Sequence, residues 1–405
     1  MLLTRFCFGL LPLLGTAGLA LGAPPRAAAP KPLRITVSNP LNQTRPPETI
    51  SVPASRLADL LRTAGPDRLQ VRDAQTGALL VSQLLDGDGD GQPDELLFQA
   101  DFGPRARRRF TVSGAPADAA PAPPERRTFS RFVPERIDDY AWENDLVAFR
   151  TYGPVAQQYT EAGRTDGTLT SGMDCWLKRV PYPVIDKWYG GYPADHRYYH
   201  VDRGEGYDPY HVGDSRGCGG TGVWDEGKLF VSKNFVSYRR LATGPIRTVF
   251  ELTYAPWQAN GRTITERKRI SLDLGSQLTR YEELLSSSQP LPNFVVGITL
   301  HDQKGSVATN QAAGWFRYWE PMDDAELGTG IVLDPRRVLE YRDYRTPQKD
   351  QSHLLVFARP APENLVFYAG FAWTKAGQIK TPAEWEAYLG DFARRLAAPL
   401  KVQVK

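Results

Sequence analysis

The chain has 405 residues, and 49 Lys and Arg stand against 46 Asp and Glu, so its formal net charge is +3. This near balance, without a long block of Lys and Arg, excludes the electrostatic footprint of a nucleic-acid-binding protein. With 36 Gly, 33 Pro and recurrent short runs of Val, Thr, Tyr, Phe and Trp, the composition favours an all-β fold over a helical one.

The first 23 residues have the pattern of a signal peptide. A short basic start precedes an apolar stretch at 6–21, and small residues around Gly22 and Ala23 provide a cleavage site. Cleavage would leave an Ala/Pro-rich tether at 24–32. We therefore expect a periplasmic or secreted protein that has no membrane partner after signal cleavage, since no later run is long enough to cross a bilayer.

The sequence pattern of residues 33–114 predicts an N-terminal β lobe. Leu57, Leu60 and Leu61 share one face of a short helix at 55–62, which Gly65 would end. Alternating or apolar runs predict the strands of this lobe at 33–38, 69–73, 79–85, 95–99 and 110–113.

An Asp/Gly loop separates two of these strands and has the spacing of a calcium-binding loop. Position 12 of such a loop would be Leu97, so the usual bidentate acid is missing. The alternative is a solvated hairpin loop, because Asp and Gly are turn residues. A bound Ca²⁺ would be structural, and no organic cofactor is predicted. The predicted ligands are Asp86, Asp88, Asp90, Asp94 and Glu95.

Residues 125–405 predict the main body, after an Ala/Pro linker. Asn260-Gly261 predicts a hairpin turn, and Thr381-Pro382 with Glu384 predicts the start of a C-terminal helix. Antiparallel strands in this number favour a large β-sandwich with long irregular loops and one C-terminal α-helix. The strands are predicted at 146–152, 229–238, 246–254, 262–273, 278–285, 294–301, 314–319, 330–333, 353–358 and 365–371.

Glu143 and Asp145 precede the first strand of this body and lie two residues apart, so in an extended segment their carboxylates face the same side. Trp142 is adjacent, and acids beside an aromatic ring are common in sugar subsites. The alternative is a turn whose acids pair with Arg136 or Arg150.

Residues 174–224 hold three of the five histidines and many tyrosines, with no strict helix or strand period. We predict a long irregular loop that carries the active surface. Cys175 and Cys218 would be paired in an oxidising compartment, closing a loop of about 43 residues, which is worth roughly 4 kcal/mol. The alternative is two separately buried thiols.

Acids, imidazole and phenol in this segment are the groups that act on sugars. Hydrolysis needs two carboxyl groups, whereas β-elimination needs a base and a cation for the uronate carboxylate. The alternative is that these groups only stabilise the loop. The predicted catalytic residues are His200, Glu205, Asp208, Tyr210, Glu143 and Asp145. The predicted substrate-binding residues are Trp142, Lys178, Lys187, Trp188, Tyr189 and Arg203.

Three segments, at 131–154, 178–189 and 199–220, resemble a bacterial exported family, the domain of unknown function numbered 4861. Shorter matches extend the resemblance over 33–405 as one family unit. Some members of that family carry the label unsaturated glucuronyl hydrolase, which implies polysaccharide degradation. The resemblance also implies a β-supersandwich similar to that of galactose mutarotases. His200, Glu205, Asp208 and Tyr210 fall within the matching segments.

Taken together, these features predict an exported carbohydrate-active enzyme that acts on acidic, uronate-containing oligosaccharides or polysaccharides by hydrolysis or β-elimination. The alternatives are a non-catalytic glycan-binding protein and a mutarotase-like sugar isomerase.

Overall fold

A computed structural model describes residues 31–115, 127–360 and 364–405. The predicted signal peptide and most of the predicted tether and of the Ala/Pro linker lie outside the described residues. No helix in the described ranges combines the length and the apolar character that a membrane span requires.

Two small antiparallel sheets form the N-terminal lobe, and their apolar faces enclose one core. The strand order is β1-β7-β3-β4 in one sheet and β2-β6-β5 in the other. The predicted helix is present but begins later, at Ala58, and Gly65 follows it with φ 84°. The elements are β1 (Leu33–Ser38), β2 (Arg45–Pro53), α1 (Ala58–Ala64), β3 (Leu69–Asp73), β4 (Leu79–Leu80), β5 (Ser82–Leu85), β6 (Glu95–Phe102) and β7 (Arg107–Gly114).

A five-stranded antiparallel sheet opens the main body, in the order β12-β11-β10-β9-β8. Two short helices lie in the connections between its strands, and one of them, α3, falls in the segment predicted to be irregular. The elements are β8 (Phe129–Val133), β9 (Asp139–Glu143), β10 (Ala148–Thr151), α2 (Pro154–Glu161), β11 (Asp174–Lys178), α3 (Ile185–Gly191) and β12 (Gly206–Tyr207).

The remaining strands build two further antiparallel sheets. The smaller has the order β14-β13-β20-β25-β24, and the larger, with nine strands, runs β15-β16-β18-β19-β26-β23-β22-β21 while β17 pairs with β18. The elements are β13 (Cys218–Asp225), β14 (Lys228–Phe230), β15 (Phe235–Ala242), β16 (Arg247–Tyr254), β17 (Trp257–Ala259), β18 (Arg262–Asp273), β19 (Leu278–Ser287), β20 (Phe294–Thr299), β21 (Ser306–Asn310), β22 (Trp315–Met322), β23 (Ala325–Leu333), β24 (Val338–Tyr344), β25 (His353–Ala358) and β26 (Leu365–Trp373).

The nine-stranded sheet packs its inner face against two sheets of the main body, β12-β11-β10-β9-β8 and β14-β13-β20-β25-β24. One apolar cluster contains side chains from all three, such as Trp142 of β9, Cys218 of β13 and Phe371 of β26. The predicted all-β fold, a large antiparallel sandwich, is therefore confirmed. Its two outer surfaces lie on opposite sides of this core, and that separation matters for the sites described below.

Helix α4 (Pro382–Ala397) follows the last strand of the sandwich, and Trp385 and Leu389 pack onto the nine-stranded sheet. Its start is as predicted, because the Thr381 hydroxyl accepts a hydrogen bond from the Glu384 backbone N–H at 3.2 Å. The chain then adds a strand that the sequence analysis missed, β27 (Lys401–Val404), which pairs with β1 and so returns to the N-terminal lobe.

Candidate active site

The outer face of the sheet β8–β12 carries charged side chains because its strands alternate. On β9, Tyr140 and Trp142 face the core, so Asp139 and Glu143 face outward. The same alternation turns Arg150 of β10 outward, together with Asp174 and Lys178 of β11. A covering segment, residues 179–211, buries this outer face, and its rings form an aromatic cluster with Trp176.

Arg150 lies at the centre of a buried charged cluster. Its Nε donates to Asp174 Oδ2 at 2.6 Å, and its Nη2 donates to Asp208 Oδ2 at 2.7 Å. Its Nη1 donates to the Tyr199 hydroxyl at 3.2 Å and lies 3.4 Å from Asp139 Oδ2. These contacts join three strands to the covering segment. Asp139, Arg150 and Asp174 lie on β9, β10 and β11. Tyr199 and Asp208 belong to the covering segment.

Acids outnumber arginines in this cluster. Burial raises the pKa of Asp208 well above its ordinary value, and the neighbouring Asp174 carboxylate adds to the effect. Burial also raises the pKa of Asp139, in spite of the opposing attraction of Arg150. Asp139 Oδ1 and Asp174 Oδ1 are buried without a hydrogen-bond partner among the described residues. The site therefore holds a carboxyl group, that of Asp208, biased toward its protonated form.

His200 lies at the edge of this cluster and reaches the surface. Its Nδ1 lies 2.8 Å from the main-chain oxygen of Asp208, and because a carbonyl can only accept, Nδ1 carries the proton. Nε2 is then the basic nitrogen, and it has no hydrogen-bond partner within the described part of the chain. The side chain is 42% exposed. Burial, helped by the positive charge of Arg150, lowers the pKa of His200. The imidazole is therefore neutral at neutral pH, as a general base must be.

A second cation, Arg136, lies next to Tyr199. Its Nε donates to the Tyr199 hydroxyl at 3.0 Å, and its guanidinium lies 5.5 Å from the centre of the Tyr192 ring. Its Nη1 is buried and has no partner among the residues that the structure describes. The guanidinium therefore keeps an unused N–H group within the same aromatic surroundings as His200.

Glu143 and Lys178 form a pair that is fully buried. Lys178 Nζ donates to Glu143 Oε2 at 2.7 Å and to the main-chain oxygens of Asn144 and Tyr182, both at 2.8 Å. The Glu143 carboxylate also accepts the Val184 backbone N–H at 2.9 Å. Both charges are thus compensated, and the pair fastens the start of α3 to the sheet instead of facing open space.

Glu205 lies on the other side of the aromatic cluster from His200. It accepts hydrogen bonds from Lys187 Nζ at 2.8 Å, from the Tyr182 hydroxyl at 2.5 Å and from Trp188 Nε1 at 3.3 Å. These donors lower the pKa of Glu205, although burial opposes them. The rings of Trp188, Trp176 and Tyr199 lie between Glu205 and the imidazole. Of the acids predicted to be catalytic, Asp208 lies beside His200, whereas Glu143 and Glu205 are bonded to lysines elsewhere.

Of the other predicted residues, Tyr189 reaches the charged cluster, because its hydroxyl donates to Asp139 Oδ2 at 3.0 Å. Trp142, Trp188 and Tyr189 are buried, so their rings form core and not an open sugar platform. Arg203 is partly exposed and pairs with Asp195 at 3.0 Å. The Asp145 carboxylate accepts the Gly275 backbone N–H at 2.7 Å, on the nine-stranded sheet.

Tyr210 is also buried. Its ring packs edge-on against His301, with 4.6 Å between ring centres.

The structure does not contain the predicted disulfide, since Cys175 and Cys218 are free buried thiols. Burial, followed by a hydrogen bond with Cys218, raises the pKa of the Cys175 thiol well above its ordinary value. The two ends of the segment are held together without a covalent bond, because the Cys218 backbone N–H donates to the Met173 oxygen at 2.8 Å.

In the Asp/Gly loop of the lobe, three of the five predicted ligands converge. Carboxylate oxygens of Asp86, Asp88 and Asp94 lie within 4.8 Å of one another. Asp90 is not part of this group, and the Glu95 carboxylate instead accepts the Ser51 hydroxyl at 2.6 Å. Ca²⁺ binds oxygens at about 2.3–2.6 Å, so its ligands lie within roughly 5 Å of each other, and the three carboxylates fit that spacing.

The sequence analysis did not select the residues that form the centre of the cluster, although one signal was present. Arg150, Asp139 and Asp174 are charged residues of short strands, each next to an apolar residue such as Phe149, Tyr140 or Cys175. A charge in such a strand is seldom buried without a partner. Three such charges indicate that buried partners exist, and the sheet order then shows that they meet.

Fold and site together define an all-β, two-lobed sandwich protein with a buried Arg–Asp cluster under a surface histidine. The chain belongs to the family described as Domain of unknown function (DUF4861), whose model matches residues 37–402. The Uncharacterized protein P7 of Formosa agariphila is 44% identical over 379 residues, which cover 92% of this chain and 93% of that protein.

Two solved structures, both from Enterococcus faecalis, are also similar. One is a protein in the glycosyl hydrolase family 38, with a TM-score of 0.48, and the other an α-mannosidase, with a TM-score of 0.42. Each is 11% identical and matches over 92% of this chain. The chain spans about half the length of these structures, 47% and 46%.

Proposed function

We propose that this protein is an exported carbohydrate-active enzyme that acts on uronate-containing oligosaccharides by β-elimination, with His200 as the base. The observation that carries the proposal is the state of His200. Its tautomer is fixed by the Asp208 carbonyl, its pKa is lowered, and its basic Nε2 is free among the described residues. A neutral, positioned imidazole is what proton abstraction next to a carboxylate requires.

In this reaction His200 Nε2 takes the proton from C5 of the uronate, the C5–H electrons form the C4–C5 double bond, and the C4–O bond breaks. The imidazolium then returns a proton to the departing oxygen. The main-chain oxygen of Asp208 accepts the Nδ1–H of His200 at 2.8 Å and so stabilises the imidazolium. Arg136, the second cation beside Tyr199, pairs with the substrate carboxylate and makes C5–H more acidic.

Hydrolysis fits the geometry less well. It needs two carboxyl groups on either side of the bond, at about 5–10 Å from each other. Glu143 is fully buried against Lys178, and the Glu205 carboxylate is already bonded to Lys187, Tyr182 and Trp188. We therefore give elimination as the reaction and keep hydrolysis as an outcome that the test can reveal.

A panel of uronate-containing glycans tests the proposal, with ultraviolet absorbance of the unsaturated uronate as the readout. We expect absorbance to rise with time. A loss of absorbance from unsaturated oligosaccharides indicates hydrolysis instead. Glycan affinity without any product, measured by chromatography, indicates a binding protein, and anomer exchange seen by NMR indicates a mutarotase-like isomerase. Any of these three results overturns β-elimination.

We further propose that Asp86, Asp88 and Asp94 bind a structural Ca²⁺. At 100 times its dissociation constant, a ligand that binds only the folded state adds about 2.7 kcal/mol of stability. We expect calcium to raise the melting temperature by a few degrees over a chelator, and Asp88→Asn to abolish this response. Asp90→Asn is the matched control and should retain it, because Asp90 is outside the group of converging carboxylates. An unchanged melting temperature after chelation contradicts the site.

A further inference from the structure

A cavity of about 420 Å³ lies on the outer surface of the nine-stranded sheet, and neither His200 nor the Arg150 cluster lines it. Its floor is the outer face of the nine-stranded sheet, and its walls are β2 of the N-terminal lobe and helix α4. The apolar core lies between this cavity and the sheet β8–β12. It is therefore a separate site, to which the sequence analysis gave no function.

Three arginines from three elements line the cavity. Arg247 of β16 is neutralised by Asp273, to which its Nη2 donates at 2.8 Å. Arg280 of β19 is 35% exposed and pairs through Nη1 with Glu282 at 2.9 Å. Arg395 of α4 reaches Glu48 at 3.2 Å, while its Nε is buried without a partner in the part of the chain that the structure describes. The Nε–H group of Arg395 is therefore shielded from water and has no hydrogen-bond acceptor among the described residues.

Aromatic rings form another part of the wall. Tyr368 of β26 and Phe392 of α4 lie edge to face, with 4.9 Å between ring centres. The adjacent turn is held in place, because Asn144 Nδ2 donates to the main-chain oxygens of Asp273 and Ser276, both at 2.7 Å. The lining therefore combines arginine side chains with aromatic rings, and the Arg395 guanidinium lies 5.4 Å from the centre of the Phe392 ring. Such a lining suits a ligand that has both a negatively charged group and an apolar face.

We propose that this cavity binds a carboxylate-bearing sugar, as a site distinct from the proposed active site. The carboxylate pairs with Arg280 and Arg395, and the sugar ring packs on Tyr368 and Phe392. The volume lies within the range of about 300–1,000 Å³ of small-molecule pockets. Binding in this cavity does not depend on catalysis at His200. The cavity would bind an acidic glycan even if His200 took part in a reaction other than β-elimination.

Isothermal titration of the full chain with D-glucuronate tests this site, with D-glucose and acetate as comparison ligands. We expect saturable binding of glucuronate and at least tenfold weaker binding of both comparison ligands. Arg280→Gln should weaken glucuronate binding at least tenfold. Arg336→Gln is the matched control and should not, because Arg336 is 88% exposed on another part of the surface.

Hydrogen exchange locates the ligand without a variant. Glucuronate should protect 46–51 and 273–276, which line this cavity. Protection of 199–211 alone places binding at the proposed active site and overturns the inference. Glucuronate affinity that Arg280→Gln leaves unchanged overturns it too, as does acetate binding as tight as that of glucuronate. Product formation from glycans tests the proposed function separately, so the two proposals fail independently.

Discussion

Replacing Arg150 with methionine is expected to lower the free energy of unfolding by about 3–5 kcal/mol, the usual effect of removing one partner from a buried ionic group. Arg150 makes close contacts to Asp174 and Asp208, and its side chain is only 6% exposed. Without it, buried carboxylates repel each other with little solvent to screen them. Equilibrium denaturation by urea, followed by tryptophan fluorescence, measures the change.

Arg336→Met is the matched control. Arg336 also pairs with an acid, Asp334 at 2.6 Å, but its side chain is 88% exposed. The loss of such a surface pair is expected to change stability by less than about 1 kcal/mol. The double variant Arg150→Met, Asp208→Asn should recover part of the lost stability, because it also removes one of the buried carboxyl groups that Arg150 contacts. Equal effects of Arg150→Met and Arg336→Met contradict a central role for Arg150.

The local sequence pattern was sufficient to predict individual turns and helix starts. The hairpin at Asn260-Gly261 is present, since β17 pairs with β18 and both turn residues have positive φ, 46° and 78°. This is the conformation that an Asn-Gly turn adopts. The capping residues of α4 were recognisable for the same reason, because the bonds involved join residues only three positions apart.

The Arg150 cluster could not be predicted in the same way. Alternation tells on which face a side chain lies, but it does not tell which strands become neighbours. Arg150 meets Asp174 and Asp208 across 24 and 58 positions in the sequence. The cavity depends on even longer connections, because Arg395 contacts Glu48 across 347 positions. Such contacts are set by sheet order, which has no local signature.

The segment 174–224 was predicted to be an irregular surface because Gly and acids interrupt its aromatic residues. In the structure Trp176, Tyr189 and Tyr199 are almost fully buried, and they pack on one another over the outer face of the sheet. The polar residues between them bond to the backbone of the same segment, as Asp202 does with the Gly204 N–H at 2.9 Å. Composition therefore concealed a second, smaller core.

Replacing His200 with glutamine is expected to lower kcat/KM by about 10²–10⁴-fold, the usual contribution of a general base. The fold should persist, because the side chain is 42% exposed. We expect a stability change of less than about 1 kcal/mol, as for most surface substitutions. Initial rates of product absorbance on the best glycan of the panel, together with urea denaturation, separate the two effects.

His196→Gln is the control for this variant. His196 is exposed and stacks on Tyr192, with 4.7 Å between ring centres, and we give it no role in the reaction. The His196→Gln variant should keep wild-type rates. A loss of rate in His200→Gln is then specific to His200 and is not a general effect of removing a histidine from this segment.

The pH profile gives a readout that a merely structural role would not change. A base must be unprotonated, and burial lowers the pKa of His200 below its ordinary value of 6.5. The kcat/KM of the wild type should therefore be constant around neutral pH and fall as the pH drops below that lowered pKa. In His200→Gln the residual rate should lose this acid limb. Wild-type turnover in His200→Gln, or an acid limb that persists there, shows that another group takes the proton.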